Sequence, residues 1–254
     1  TTFLMATAVL VLLGIAVMTN ASIPLSQSNH GESFYYFKHQ LIYGLGIGLL
    51  AFFFFYKIDI SILKKFGLPA LILAIILLCL VFVPKIGFGA LGAKRWISLF
   101  GFSFQPAEFA KLALVVYLAH WLESKKDKIK KPVMIFPFLL WIGIICGLVI
   151  LQPDFGTFLV ICSTAFVMYF VAGSDLKTMG LVFLTGLALM ATLIAVEPYR
   201  RERFTSFLNP NNDTAGSGYQ LKQALIAIGS GEIFGLGLGK GIQKYNYLPE
   251  TIGD

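Results

Sequence analysis

Charge is what this sequence is short of: Asp, Glu, Lys and Arg together make up 13% of its 254 residues. A chain so poor in charge cannot cover a globular surface with well-hydrated groups, which excludes an ordinary soluble domain. Cysteine is scarcer still. Cys79, Cys146 and Cys162 each sit inside an apolar run, without Cys-x-x-Cys spacing or a neighbouring His, so they read as small packing residues and neither disulfides nor metal ligands are expected. His30, His39 and His120 are too scattered for a zinc site or a Ser-His-Asp triad. In a soluble protein the net charge of +7 would suggest nucleic acid; here the lysines gather in short loops between apolar runs, so no nucleic-acid partner is expected.

Hydrophobic residues are what the chain has in plenty, 57% of the total. They fall into runs of roughly the ~20 residues that a helix needs to cross the hydrocarbon core. Seven spans are expected, over residues 3–18, 41–56, 66–83, 106–122, 133–151, 155–172 and 179–196. A polar loop over residues 20–32 should separate the first two, followed by the interfacial aromatic group Phe34-Tyr35-Tyr36-Phe37. A Gly-rich segment leads to Phe104, and the tight turn Gln152-Pro153-Asp154 joins spans five and six. The fold class is an all-α polytopic membrane protein, with residues 1–197 as the membrane region and 198–254 as a large outer loop.

Orientation follows from the basic residues. Lys57, Lys64, Lys65, the five lysines of residues 125–131, and Lys177 share one side, against Lys38, Lys85, Lys94 and Arg95 opposite. The Lys-rich loops are therefore cytoplasmic and Pro198 to Asp254 lies outside. Within that outer segment the apolar run Ala224–Ile228 is too short to span and suits an interfacial or re-entrant helix.

Polar chemistry concentrates at a few places. Arg200, Arg201 and Arg203 form either a solvated face touching lipid phosphates or a site for a lipid-linked phosphate or pyrophosphate. Glu108 and Lys111, three apart behind Pro106, either stabilise a helix start or hold a polar cleft. Lys94-Arg95-Trp96 either anchors a helix end or joins the same phosphate site. Asp154 reads as a helix cap, and Asp254, taken alone, as an ordinary loop carboxylate.

Taken in order, several stretches resemble the SEDS membrane proteins, which include FtsW and RodA. They are Gly92-Ala93-Lys94-Arg95-Trp96-Ile97, Phe104-Gln105-Pro106-Ala107-Glu108-Phe109-Ala110-Lys111, and Gln152-Pro153-Asp154-Phe155-Gly156-Thr157. Arg201-Glu202-Arg203, Phe207-Leu208-Asn209-Pro210, Gly218-Tyr219-Gln220, Ile226-Ala227-Ile228-Gly229-Ser230-Gly231 and Leu248-Pro249-Glu250 continue the series to Asp254. The wording of Gly235-Leu236-Gly237-Leu238-Gly239 and Gln243-Lys244-Tyr245 is closer to FtsW.

The resemblance implies ten transmembrane helices, of which this sequence would carry the first seven. It implies an enzyme of the bacterial inner (plasma) membrane, at the division septum, that polymerises lipid II into glycan strands beside a class B penicillin-binding protein and other division proteins. Asp254 would be the catalytic base, and Lys94, Arg95, Glu108, Lys111, Arg200, Arg203 and Glu250 would bind substrate. No cofactor is implied with certainty, although a divalent cation could share the pyrophosphate. Ile252-Gly253 departs from the family's usual His-Thr or His-Asn before the aspartate. The alternatives are a lipid II flippase or transporter, a RodA-like elongation polymerase, or a division scaffold.

Overall fold

The computed structural model describes residues 2–90, 93–99, 102–208, 217–232, 235–237 and 239–245. The chain forms two compact units, one of Thr1–Lys57 with Ala188–Asp254 and one of Ile58–Leu187. This division follows packing, whereas the expected boundary at 197/198 separates membrane from outer loop.

In the first unit, α1 (Thr2–His30) is followed by α2 (Tyr35–His39), a π-helical segment (Gln40–Gly46) and α3 (Ile47–Lys57). The polar loop expected over residues 20–32 is instead mostly helix. Two of its hydroxyls bond back to the helix's own carbonyls, Ser22 Oγ to Thr19 O at 3.2 Å and Ser28 Oγ to Leu25 O at 3.1 Å, so both are satisfied without leaving the helix. The helix stops at Gly31, whose φ of 67° is the left-handed conformation that glycine adopts without strain. Along α1 and α3 the apolar side chains point outward, with Leu10 69% and Phe54 62% exposed. Such a surface is suited to acyl chains and not to water.

The second unit opens with Asp59, whose carboxylate accepts from Ser61 N at 2.7 Å and caps α4 (Ile60–Leu80). That helix packs on α5 (Pro106–Ser124), and a Cβ added to Gly67 would lie 3.4 Å from the Tyr117 Cα, so small residues permit the approach. Leu71, Ala74 and Leu78 of α4 and Ala107 and Ala110 of α5 are fully buried.

Between these helices the Gly-rich segment is a three-stranded antiparallel sheet, β1 (Gly87–Ala90), β2 (Ala93–Leu99) and β3 (Phe102–Phe104), a local departure from the all-helical expectation. Phe88 pairs with Trp96 and Ser98 with Ser103. A Cβ on Gly89 would stand 1.8 Å from Ala93 O, so only glycine fits this bulged position.

The hairpin of α6 (Ile135–Leu151) and α7 (Phe155–Val171) completes the core, with the rings of Phe138 and Tyr169 at 4.5 Å. Cys146 and Cys162 face each other across it as free thiols, Sγ to Sγ 3.6 Å, as packing residues should. Cys79 departs from that expectation, because its side chain is exposed.

α8 (Leu176–Val196) passes from the second unit to the first, and α9 (Pro198–Leu208) and α10 (Ser217–Gly231) follow. Helices thus occur at all seven expected positions. Those at Thr2–His30, Tyr35–Lys57, Ile60–Leu80 and Leu176–Val196 are long and apolar enough to cross a membrane. α6 and α7 have 17 residues each, and α5 carries Glu108, Lys111 and Glu123.

Candidate functional site

In the second unit the site is built around the turn between α6 and α7. Alternation along β2 turns Arg95 and Ile97 inward and leaves Lys94, Trp96 and Ser98 exposed. Arg95 Nε donates to Gln152 O at 3.3 Å, and its Nη2 donates to Pro153 O. The guanidinium thereby brackets consecutive carbonyls at the C-terminal end of α6, where acceptors have no helical partner and the helix dipole favours a cation. Lys94, on the other face of the strand, is open to solvent.

The three residues of the turn do different work. Gln152 is 1% exposed; its Nε2 donates to Leu78 O at 3.1 Å, and its Oε1 has no partner among the described residues. Asp154 caps α7 as expected, accepting from Thr157 N at 3.1 Å and Thr157 Oγ1 at 2.9 Å. It also accepts from Gln105 Nε2 at 3.2 Å, which ties the start of α7 to the start of α5. In the sequence Gln105, Gln152 and Thr157 stood out only within longer motifs, with no role of their own. The available signal was the repeated pairing of a polar residue with Pro at a helix start, Gln105-Pro106 and Gln152-Pro153.

One turn into α5, Lys111 Nζ lies 2.8 Å from Glu108 Oε1. Lys111 borders a crevice of about 30 Å³ with Leu118 and Ile161, room for one water and not for a sugar or a pyrophosphate. Any substrate contact by Lys111 or Glu108 would therefore be made from the exposed side of the pair.

In the first unit, Arg203 stacks on Tyr199 one turn earlier, 5.1 Å from the ring centroid, and Arg200 Nη1 donates to Leu193 O at 3.1 Å. Stacking uses the face of a guanidinium, whereas phosphate is bound in its plane, so the two contacts are compatible. α10 extends the expected interfacial run to 15 residues. Asp254 and Glu250 lie outside the described residues.

Residues 1–254 match the cell cycle protein family FtsW/RodA/SpoVE. The chain belongs to this family. Among FtsW/RodA/SpoVE proteins, the "Probable peptidoglycan glycosyltransferase FtsW" of Geobacter sp. (strain M18) is 38% identical over 99% of this chain and 68% of its own length. A chain of a solved peptidoglycan synthase complex, described as coordinating polymerization and crosslinking, is similar at 35% identity and a TM-score of 0.66, over 88% of this chain and 65% of its own. The rod shape determining protein RodA of Thermus thermophilus is similar at 30% identity and a TM-score of 0.53, over 71% of this chain and 58% of its own. With its long apolar helices, this FtsW/RodA/SpoVE chain is a multi-pass bacterial membrane protein. It spans about two thirds of the length of the FtsW relative.

Proposed function

We propose that the complete protein is a peptidoglycan glycosyltransferase of the FtsW kind, which polymerises lipid II into glycan strands at the division septum. The observation that carries this reading is the 38% identity, over 99% of the chain, to a relative named for that activity. Inverting glycosyl transfer needs a carboxylate to take the proton of an acceptor sugar hydroxyl as it attacks the anomeric carbon, and cations to stabilise the departing polyprenyl pyrophosphate. Asp254 is the base, with Glu250 beside it in sequence. Arg203, Arg200, Lys111 and Lys94 supply cationic donors, and Arg95 and Glu108 hold the turn and Lys111 in place.

A divalent cation could share the pyrophosphate, although no group of three or more His, Cys, Asp and Glu that could hold one occurs among the described residues. Glu108 is paired with Lys111, and both Asp154 oxygens are engaged by Thr157 and Gln105, so neither is a ready ligand. The partner is a class B penicillin-binding protein, supported by the likeness to a chain of a complex that joins polymerization to crosslinking. The outer loop faces the cell exterior, supported by the distribution of lysines.

The test uses the full-length protein, its penicillin-binding partner and labelled lipid II, with strand length read on a gel. Asp254→Asn keeps size and hydrogen-bonding capacity but cannot take a proton at neutral pH, so polymerisation should fall roughly 100- to 10,000-fold with folding and partner binding intact. Arg203→Ala should weaken donor use by about 1.5–3 kcal/mol. Retained polymerisation by Asp254→Asn would sink the mechanism. Lipid II translocation in liposomes by a wild type without polymerase activity would favour the flippase.

A further inference from the structure

Gln243 and Lys244 have no role in the proposed transfer chemistry, yet within the first unit they line a cavity of about 520 Å³. Val17 and Ala21 of α1, Ala227 of α10, and Leu236 and Ile242 beyond it form the apolar wall. Val17 is 63% exposed, on the same helix whose apolar side chains point outward from Phe3 onward, so lipid tails and not water border this side. The polar edge is Asn20, Ser230, Gln243 and Lys244, with Lys244 Nζ donating to Asn20 Oδ1 at 2.9 Å and lying 5.5 Å from the Tyr245 ring centroid.

Among the described residues that arrangement leaves Lys244 without a carboxylate partner, the ion pairs there being Lys38–Glu32, Lys64–Glu123 and Lys111–Glu108. A half-buried ammonium whose hydrogen-bond acceptor is a neutral amide favours an anion. Lys244 beside an apolar chamber matches an amphiphile with a negative phosphate and an alkyl chain. The volume lies within the ~300–1,000 Å³ of small-molecule sites, enough for one acyl chain and too little for a long polyprenyl tail.

We propose that this cavity binds an anionic glycerophospholipid, one acyl chain lying between α1 and α10 and the phosphate held by Lys244. The inference does not rest on the transferase reading. It concerns residues assigned no part in catalysis.

The experiment uses the full-length protein, delipidated in detergent, and counts bound lipid by native mass spectrometry during titration with dioleoylphosphatidylglycerol or dioleoylphosphatidylcholine. Phosphatidylglycerol should bind about tenfold more tightly, Lys244→Gln should remove that preference, and Lys244→Arg should keep it. Ala227→Phe, which fills the chamber, should weaken both lipids while leaving elution on size exclusion unchanged. Lys244→Gln sits at the edge and tests the charge should Ala227→Phe misfold. Equal binding of the two lipids, or a Lys244→Gln protein that binds like wild type, overturns the proposal. So does displacement of phosphatidylglycerol by inorganic phosphate alone, which would mean a headgroup site without the chain. Farnesyl pyrophosphate binding more tightly than phosphatidylglycerol would also overturn it and assign the cavity to an isoprenoid.

Discussion

Asp154 separates a structural carboxylate from a chemical one, because its contacts predict opposite outcomes for two substitutions. Asp154→Ala removes three acceptor contacts at a residue 8% exposed: the Thr157 amide at 3.1 Å, the Thr157 hydroxyl at 2.9 Å and the Gln105 amide at 3.2 Å. Loss of the cap is worth about 0.5–2 kcal/mol, and loss of the hydrogen bond that links α5 to α7 raises the expected total to about 2–4 kcal/mol. Asp154→Asn keeps a good capping oxygen. Flipping the Gln105 amide restores an acceptor for the new Nδ2–H, and the Thr157 hydroxyl can rotate to accept, so the cost should stay below about 1 kcal/mol. Unfolding in detergent can be followed by thiol labelling of Cys146, which is 6% exposed, in a Cys79→Ala, Cys162→Ala background that removes the exposed and the partly exposed thiol. An Asn variant as unstable as the Ala variant would refute the capping account. An Asn variant of normal stability that fails to polymerise glycan would place Asp154 in the chemistry.

Three further outcomes are expected. Arg95→Lys should destabilise the α6–α7 turn by about 1–3 kcal/mol, because an ammonium cannot bracket both Gln152 O and Pro153 O; the same labelling assay measures it. Just beyond an expected span, the hydrogen bond and charge of Lys64 hold the Glu123 carboxyl below its ordinary value. Any contribution of that pair is therefore present above the unfolded carboxylate range and lost as pH falls through the lowered folded value, so the stability difference between wild type and Glu123→Gln should shrink on acidification. A difference unchanged between neutral pH and pH below the carboxylate range would mean the contact is not ionic. Single cysteines at Ser28 and Ser103 should react with an impermeant reagent from outside intact cells, and those at Lys128 and Lys177 should not. Outside labelling at position 128 would reverse the orientation.

Sequence by itself determined the class of this protein, the helices at all seven expected positions and the capping role of Asp154. Each depends on local features: apolar runs matched to a bilayer, a proline at a helix start, and a carboxylate three residues before a threonine. The family was also legible, because its motifs occur in order along the chain. For Asp254 and Glu250 the sequence remains the whole basis of the assignment. Polar residues at 20–32 misled the loop expectation, since a serine hydroxyl can be satisfied by a carbonyl of its own helix, as at Ser22 and Ser28.

Tertiary structure decided the rest. Composition alone does not say that residues 87–104 pair as strands, nor that alternation turns Arg95 onto a turn 57 residues away while Lys94 faces solvent. Gln152 reaches a carbonyl 74 residues distant, and Lys244 meets Asn20 across 224 residues. A bilayer selects helices through the hydrophobicity of each segment separately. Which buried donor meets which acceptor depends on how the helices pack, and that is a property of pairs of segments which no single stretch of sequence contains.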